Sequence, residues 1–423
     1  MIGTAYEEIR QHSVELVEER KIDANSDDRG IRQAVSDAVD DYQVRAHLGQ
    51  ARALHDPTEM VDRVLRAITG FGPLTDLLAR ADLEEIFIEG SRVSYLDQSG
   101  HLNALQAPTT ESEVRQVVER LLSETDRRLD VSSPVVQARI MDGAARLTAV
   151  IPPVSDRFSA TIRRYALRSE TLDSLVGLDS LTPQAAVFLA AVMHTTASVL
   201  ISGPPGAGKT SLLAAMLSAA PSSQCTRCCE EVRELHVPLV HGSYYESRPP
   251  GLDGAGEITM RDLVKLVLAM RPDRIVVGEV RGSEAFELTR AANAGCGFAC
   301  TIHANSAREA LTAVVNAALM AGENVPEPFV RRVLVSSIDL VVHLERDTVA
   351  QGLNGVRRQV NEILAVVPAL HDDFTVEPIF LRERLGAPLT WTGALPPASL
   401  TERMERASEN RLDVAHLLAG DRP

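Results

Sequence analysis

The sequence lacks several things, and each absence narrows what the chain can do. No apolar run reaches the roughly 18 residues a helix needs to cross a bilayer. The N-terminal stretch MIGTAYEEIRQHSVELVEERK is charged where a secretory leader would be apolar. A cytoplasmic protein is therefore expected, with any membrane association passing through a partner. Cationic excess is missing too: 43 Lys and Arg face 58 Asp and Glu, for a net charge of −15. Duplex nucleic acid is bound mainly by neutralising phosphates, so a general nucleic-acid surface is excluded and no stable nucleic-acid binding is expected. A locally basic channel inside an acidic chain is still allowed. Phe, Tyr and Trp make up 4% of the residues, too sparse to read as a stacking platform for single strands. Cysteine is scarce as well: Cys225, Cys228, Cys229, Cys296 and Cys300. CTRCC contains a CxxC, but Cys296-x3-Cys300 makes a poor second pair, so small buried thiols in two core strands are expected, with no zinc and no disulfide framework. There is no internal repeat and no low-complexity segment.

What is present suits a globular protein of two or three domains: 423 residues, 45% of them hydrophobic. Residues 1–70 read as helical and acidic, with Val61, Val64, Leu65 and Ile68 forming an i, i+3, i+4, i+7 stripe. GFGPL (70–74) breaks the chain. Residues 71–168 then read as a small α+β domain. EEIFIEG and RVSYLD alternate like strands, and TESEVRQVVERLL opens with a Thr110/Glu113 capping box. VQARIMDGAARLTAV folds back at Asp142-Gly143. After a linker expected at 169–180, Thr182-Pro183 starts a helix, and the rhythm over 181–423 is helix, strand, helix, strand. SVLIS, QCTRCC, RIVVGE and FACTIH are the strand candidates, with DLVVHLER and RRQVNEILAVV extending or flanking them. Such alternation predicts a mostly parallel sheet with helices on both faces.

Gly203-Pro204-Pro205-Gly206-Ala207-Gly208-Lys209-Thr210 matches GxxxxGK[ST] between a strand and a helix. Glycines at these places let successive N–H groups turn into one concavity, and the following helix adds its positive end. Lys209 is placed to reach the β- and γ-phosphates and Thr210, followed by Ser211, to ligate Mg²⁺. RPDRIVVGEVRG ends a core strand in Gly278-Glu279, where a magnesium ion or an attacking water needs an acid. CCEEVREL puts Glu230 and Glu231 at another strand end, either of them a candidate to polarise water. CTIHANS puts His303 at a third. No NKxD-type element is visible, which favours ATP over GTP.

Taken together these segments resemble the secretion ATPase superfamily of type II and type IV secretion and type IV pili. The likeness is greatest to its CpaF/TadA branch of tight-adherence pilus ATPases. It rests on GPPGAGKT, CCEEVREL, MRPDRIVVGEVRGSEA and GCGFACTIHANSAREAL in that order, with ESRPPGLDGAGEITMRDL before the third. Upstream, GFGPLTDLLA, DLEEIFIEG and FSATIRRY extend it to about residues 60–368. The resemblance implies a RecA-like P-loop domain behind the α+β domain, a homo-hexameric ring and ATP with Mg²⁺ as cofactors. It also implies inner-membrane platform proteins as partners, at the cytoplasmic face, in pilus assembly or secretion. A nucleic-acid translocase of a conjugation-type system is the alternative. By the same mapping Glu230, Glu231, Glu279 and His303 are catalytic, Thr210 and Glu279 hold the metal, and Arg163 and Arg164 reach the phosphates. Arg274 and Arg281 are further candidates for phosphate or a neighbouring subunit. The chain departs from the family pattern where Glu231 replaces an Asp, where Pro204-Pro205 enters the loop, and where Glu89 stands for Asn. The zinc domain of type II secretion ATPases is missing.

Overall fold

The computed structural model describes residues 5–22, 27–80, 82–97, 101–164, 170–250, 254–322, 324–347, 357–368, 374–408 and 413–420. It divides into two compact units, Met1–Ala166 and Leu167–Pro423. The expected boundary at 168/169, and the Tyr165 that closes FSATIRRY, lie outside the described residues.

In the first unit, helices α1 (Ala5–Glu19), α2 (Asp28–His47) and α3 (Pro57–Thr69) share a core of Ile9, Ile31, Val35, Val39, Tyr42 and Val64. Asp56 starts α3 by accepting the Glu59 N–H, with Pro57 where a missing donor costs nothing. The stripe read from sequence faces this core: Val64 is buried and Val61, Leu65 and Ile68 pack beside it. After the short α4 (Thr75–Ala79) come β1 (Leu83–Glu89), β2 (Arg92–Asp97), β3 (Leu102–Ala104), α5 (Glu111–Ser123), β4 (Val135–Ile140), β5 (Ala145–Val150) and β6 (Ser159–Arg164). The strands form one antiparallel sheet in the order β3-β2-β1-β6-β5-β4. Thr110 and Glu113 make the reciprocal cap of α5, and Asp142 and Gly143 take positive φ at the β4–β5 turn. Arg63 pairs with the buried Glu113 at 2.7 Å, and Arg120 donates to the carbonyls of Ile68 and Gly70. These ties place the helical region in the same compact unit as the sheet.

The second unit begins with α6 (Leu172–Gly177), inside the stretch read from sequence as a linker. Thr171 caps this helix, and Leu172 and Leu175 are buried in the unit's core. Then follow α7 (Pro183–Met193), β7 (Val199–Ser202), α8 (Lys209–Ser218), β8 (Thr226–Glu230), β9 (Gly242–Glu246) and α9 (Met260–Leu268). Next come β10 (Arg274–Val277), α10 (Glu284–Asn293), β11 (Gly297–Ile302), α11 (Ala307–Leu319) and α12 (Glu327–Ser337). β12 (Leu340–Asp347), β13 (Arg357–Val367), β14 (Thr375–Arg382), β15 (Leu389–Trp391), α13 (Ala398–Ala407) and α14 (Val414–Ala419) complete it. The sheet order is β15-β14-β13-β12-β7-β11-β10-β8-β9, parallel from β12 to β9 and antiparallel from β12 to β15.

Every residue of β7, β10 and β11 is buried, as expected for strands covered on both faces. Alternate side chains feed two cores. Ile201 and Val276 pack with α6, α7, α8, α13 and α14, whereas Leu200 and Val277 pack with α9 to α12. Cys228, Cys229 and Cys300 are buried strand residues, and burial pushes the Cys229 thiol up to about 12. Among the described residues no helix is long and apolar enough to cross a membrane.

Candidate nucleotide site

β7 ends at Ser202 and the chain turns through Gly203–Gly208 into α8. Gly203 is needed for close approach as well as for its positive φ, and Gly206 for its positive φ. A Cβ on Gly203 would lie 2.5 Å from the Leu344 carbonyl oxygen, and one on Gly206 would lie 2.9 Å from Nη1 of Arg346. Gly208, left-handed, precedes α8 and provides no side-chain cap. The first-turn amides after it therefore face the loop's concavity with the positive end of the helix dipole. Thr210 is half-buried in that turn and Ser211 exposed.

Lys209 is buried, 7% exposed. Its Nζ donates to the carbonyls of Gly203 at 2.9 Å and Pro204 at 3.1 Å, and lies 3.0 Å from Nδ1 of His303. Nε2 of the same ring is in ion-pair contact with Oε1 of Glu279. Oε2 of Glu279 accepts from Nη2 of Arg281 at 2.5 Å, and Nη1 of Arg281 donates to Glu231 at 3.0 Å. Lys209, His303, Glu279 and Glu231 follow β7, β11, β10 and β8, which are consecutive in the sheet. Parallel pairing brings their C-terminal ends to one edge, so residues as far apart in sequence as 209 and 303 become neighbours. Burial and the Lys209 ammonium lower the His303 pKa, against the upward pull of Glu279. The ring is therefore neutral near pH 7. With Nδ1 accepting from an ammonium, its proton is assigned to Nε2, toward Glu279.

The acid that ends β8 behaves differently. Glu230 is 3% exposed, and its carboxylate accepts the backbone N–H groups of Glu234 and Leu235 at 3.0–3.4 Å. Burial raises its pKa to about 7 although those hydrogen bonds oppose the rise. It fixes the chain leaving β8, packed so closely under Gly278 that a Cβ there would lie 2.7 Å from its Cγ. Glu231 is the acid that joins the polar line.

Arg274 is a correction to the sequence reading. It opens β10, at the end of the strand remote from Glu279, and is fully buried. Its guanidinium donates to the carbonyls of Ala197 at 2.8 Å, Thr195 at 2.5 Å and Met193 at 3.3 Å, and to Gln224 at 3.4 Å. Such a group ties strand starts together and has no reach to a phosphate or a neighbouring subunit. Arg163 and Arg164 belong to the other unit. Arg163 is exposed, 3.6 Å from Glu85, while Nη1 of Arg164 donates to the carbonyls of Leu78 and Arg80. Two residues that the sequence reading passed over, Arg346 and Arg358, stand against the loop at Gly206. Nothing in their local sequence marks them.

The sequence profile described as type II/IV secretion system protein matches residues 68–367. A Mycobacterium tuberculosis protein provisionally named for conjugal transfer is 34% identical over 294 residues, covering 67% of this chain and 83% of its own. The type IV secretion system protein PtlH of Bordetella pertussis is 28% identical over 322 residues, covering 68% of this chain and 91% of its own. Among solved structures, the pilus retraction motor PilT with bound ADP superposes with a TM-score of 0.50 at 19% identity, over 67% of this chain and 78% of that one. That last likeness speaks for the fold.

Proposed function

The chain belongs to the type II/IV secretion system protein family, and on that premise we propose that it is an ATP-hydrolysing motor of the CpaF/TadA, tight-adherence branch, powering pilus assembly or secretion. The observation that carries the reading is the polar line from Lys209 through His303, Glu279 and Arg281 to Glu231. On hydrolysis each residue has a definable task. The Lys209 ammonium exchanges its loop carbonyls for the β- and γ-phosphate oxygens, which form stronger, charge-assisted hydrogen bonds. Neutral His303 lies between that ammonium and Glu279, so it registers whether a γ-phosphate is in place. Arg281 holds Glu279 and Glu231 apart yet oriented, leaving one carboxylate oxygen of Glu231 to act on water.

The donors present suit magnesium. The Thr210 hydroxyl and the Glu279 carboxylate are hard oxygen ligands of the kind the ion prefers. When bound, the ion would draw charge from the β- and γ-phosphates. Arg163 and Arg164 are proposed as the cations brought to the triphosphate by the first unit. A homo-hexamer working on inner-membrane platform proteins, peripheral to the cytoplasmic face, completes the reading.

A second reading, a nucleic-acid translocase of a conjugation-type system, is favoured by the name of the Mycobacterium tuberculosis relative. The net charge of −15 weighs against it. Phosphate release from ATP, with and without single-stranded DNA and with Lys209→Ala as control, separates the readings. DNA-independent turnover lost in the control supports the motor, and stimulation by DNA favours the translocase. No turnover in the native protein would overturn both. Sizing with and without a non-hydrolysable ATP analogue tests the ring.

A further inference from the structure

β12 and β13 pair antiparallel beside β7, on the side away from β11, and their register sets Arg346 directly opposite Arg358. Like charges facing each other across a ladder are destabilising unless an anion lies beside them. Both side chains lie against the phosphate loop. Nε of Arg358 donates to the Gly206 carbonyl at 2.9 Å, and Nη1 of Arg346 occupies the space over Gly206 where a side chain would otherwise sit. Nε of Arg346 is buried and makes no hydrogen bond. Of the two acids flanking Arg346, Glu345 accepts from Asn361 at 2.9 Å. A buried guanidinium nitrogen left without an acceptor is costly, and a phosphate oxygen is the acceptor its planar fork matches best.

Resting on the nucleotide reading of the loop, the geometry points to Arg346 and Arg358 as a second cation pair of the same site, supplied in cis. Its ligand is the part of the nucleotide that ATP and ADP share. The reason is positional. Lys209, His303 and Glu279 take the side of the loop toward β11 and β10, where a γ-phosphate is handled. The arginines take the opposite side, toward β12, where the α-phosphate and nucleoside of the same molecule must lie. Arg358 holds the loop in shape through Gly206 and Arg346 supplies the free nitrogen.

The test is calorimetric titration of ADP and of a non-hydrolysable ATP analogue into the native protein, Arg346→Ala, Arg346→Gln and Lys209→Ala, with steady-state turnover alongside. Losing a charge-assisted contact to a shared phosphate should weaken both nucleotides equally, by about tenfold. KM for ATP should rise by the same factor while kcat stays close to native. A merely structural arginine would instead lower apo stability and kcat without an equal loss for the two nucleotides. Arg346→Gln keeps bulk over Gly206 and carries the test if the alanine variant does not fold. Unchanged affinities beside a native protein that binds would overturn the arginine pair alone. A native protein that binds neither nucleotide would overturn the reading of the loop and the pair with it.

Discussion

Nζ of Lys209 and Nδ1 of His303 stand 3.0 Å apart, so a loop lysine and a strand-end imidazole share one contact across β7 and β11. Only one of the two can carry charge comfortably. The ammonium wins because the lysine's intrinsic pKa is higher by about four units.

His303 should accordingly titrate below the ordinary histidine value of about 6.5, as followed by NMR of its ring protons. Lys209→Met should move it upward, and Glu279→Gln further down. The sign for stability follows. Between the folded value and about 6.5 the unfolded chain binds more protons, so stability rises with pH across that window. Lys209→Met should shrink this slope, and an unchanged titration would remove Lys209 as its cause.

Glu279→Gln keeps the shape of the site and removes its acid. The variant should bind an ATP analogue close to native affinity and turn over at least about tenfold more slowly. Native-like turnover in a phosphate-release assay would take Glu279 out of the mechanism.

Glu230 and Glu231 should separate by assay. Glu231→Gln, exposed and paired with Arg281, should slow turnover with little change in unfolding temperature. Glu230→Gln should act on stability. Its pKa is raised to about 7, so the folded state binds the extra proton between about 4.5 and 7 and native stability falls as pH rises through that range. The full shift corresponds to roughly 3 kcal/mol at most. Denaturant unfolding at pH 5 and pH 8 should show the difference flattened in Glu230→Gln, and an unaltered slope would reject this assignment.

Arg274→Ala strands several buried carbonyls and opens a cavity. It should cost roughly 3 kcal/mol or more in unfolding experiments. Folded protein at low temperature should keep native nucleotide affinity, whereas a selective loss of affinity would return Arg274 to the site.

Much of the architecture was legible because local chemistry enforces it. A Thr-x-x-Glu box, a Pro in the first turn of a helix and a short apolar run each commit their own backbone. Strand β9 was less visible: its GSYYE pattern is half-buried at the sheet edge and shows no apolar run. So was α6, whose six residues are held by packing of Leu172 and Leu175.

By itself the sequence determined the phosphate loop, the helix–strand alternation and the strand ends that carry acids and an imidazole, because these depend on residue type and short spacing. Tertiary structure alone decided which of them meet. Arg274 and Arg281 flank the same strand, yet parallel pairing sends the first to the buried far end and the second to the site. Glu230 and Glu231 are adjacent, yet Glu230 ends β8 buried against the Glu234 and Leu235 N–H groups while Glu231, past the strand, is exposed and meets Arg281. Arg358 reaches Gly206 across 152 residues only because β12 and β13 are laid beside β7. Strand order has no expression in the spacing of a chain; it arises from which apolar faces can be covered together.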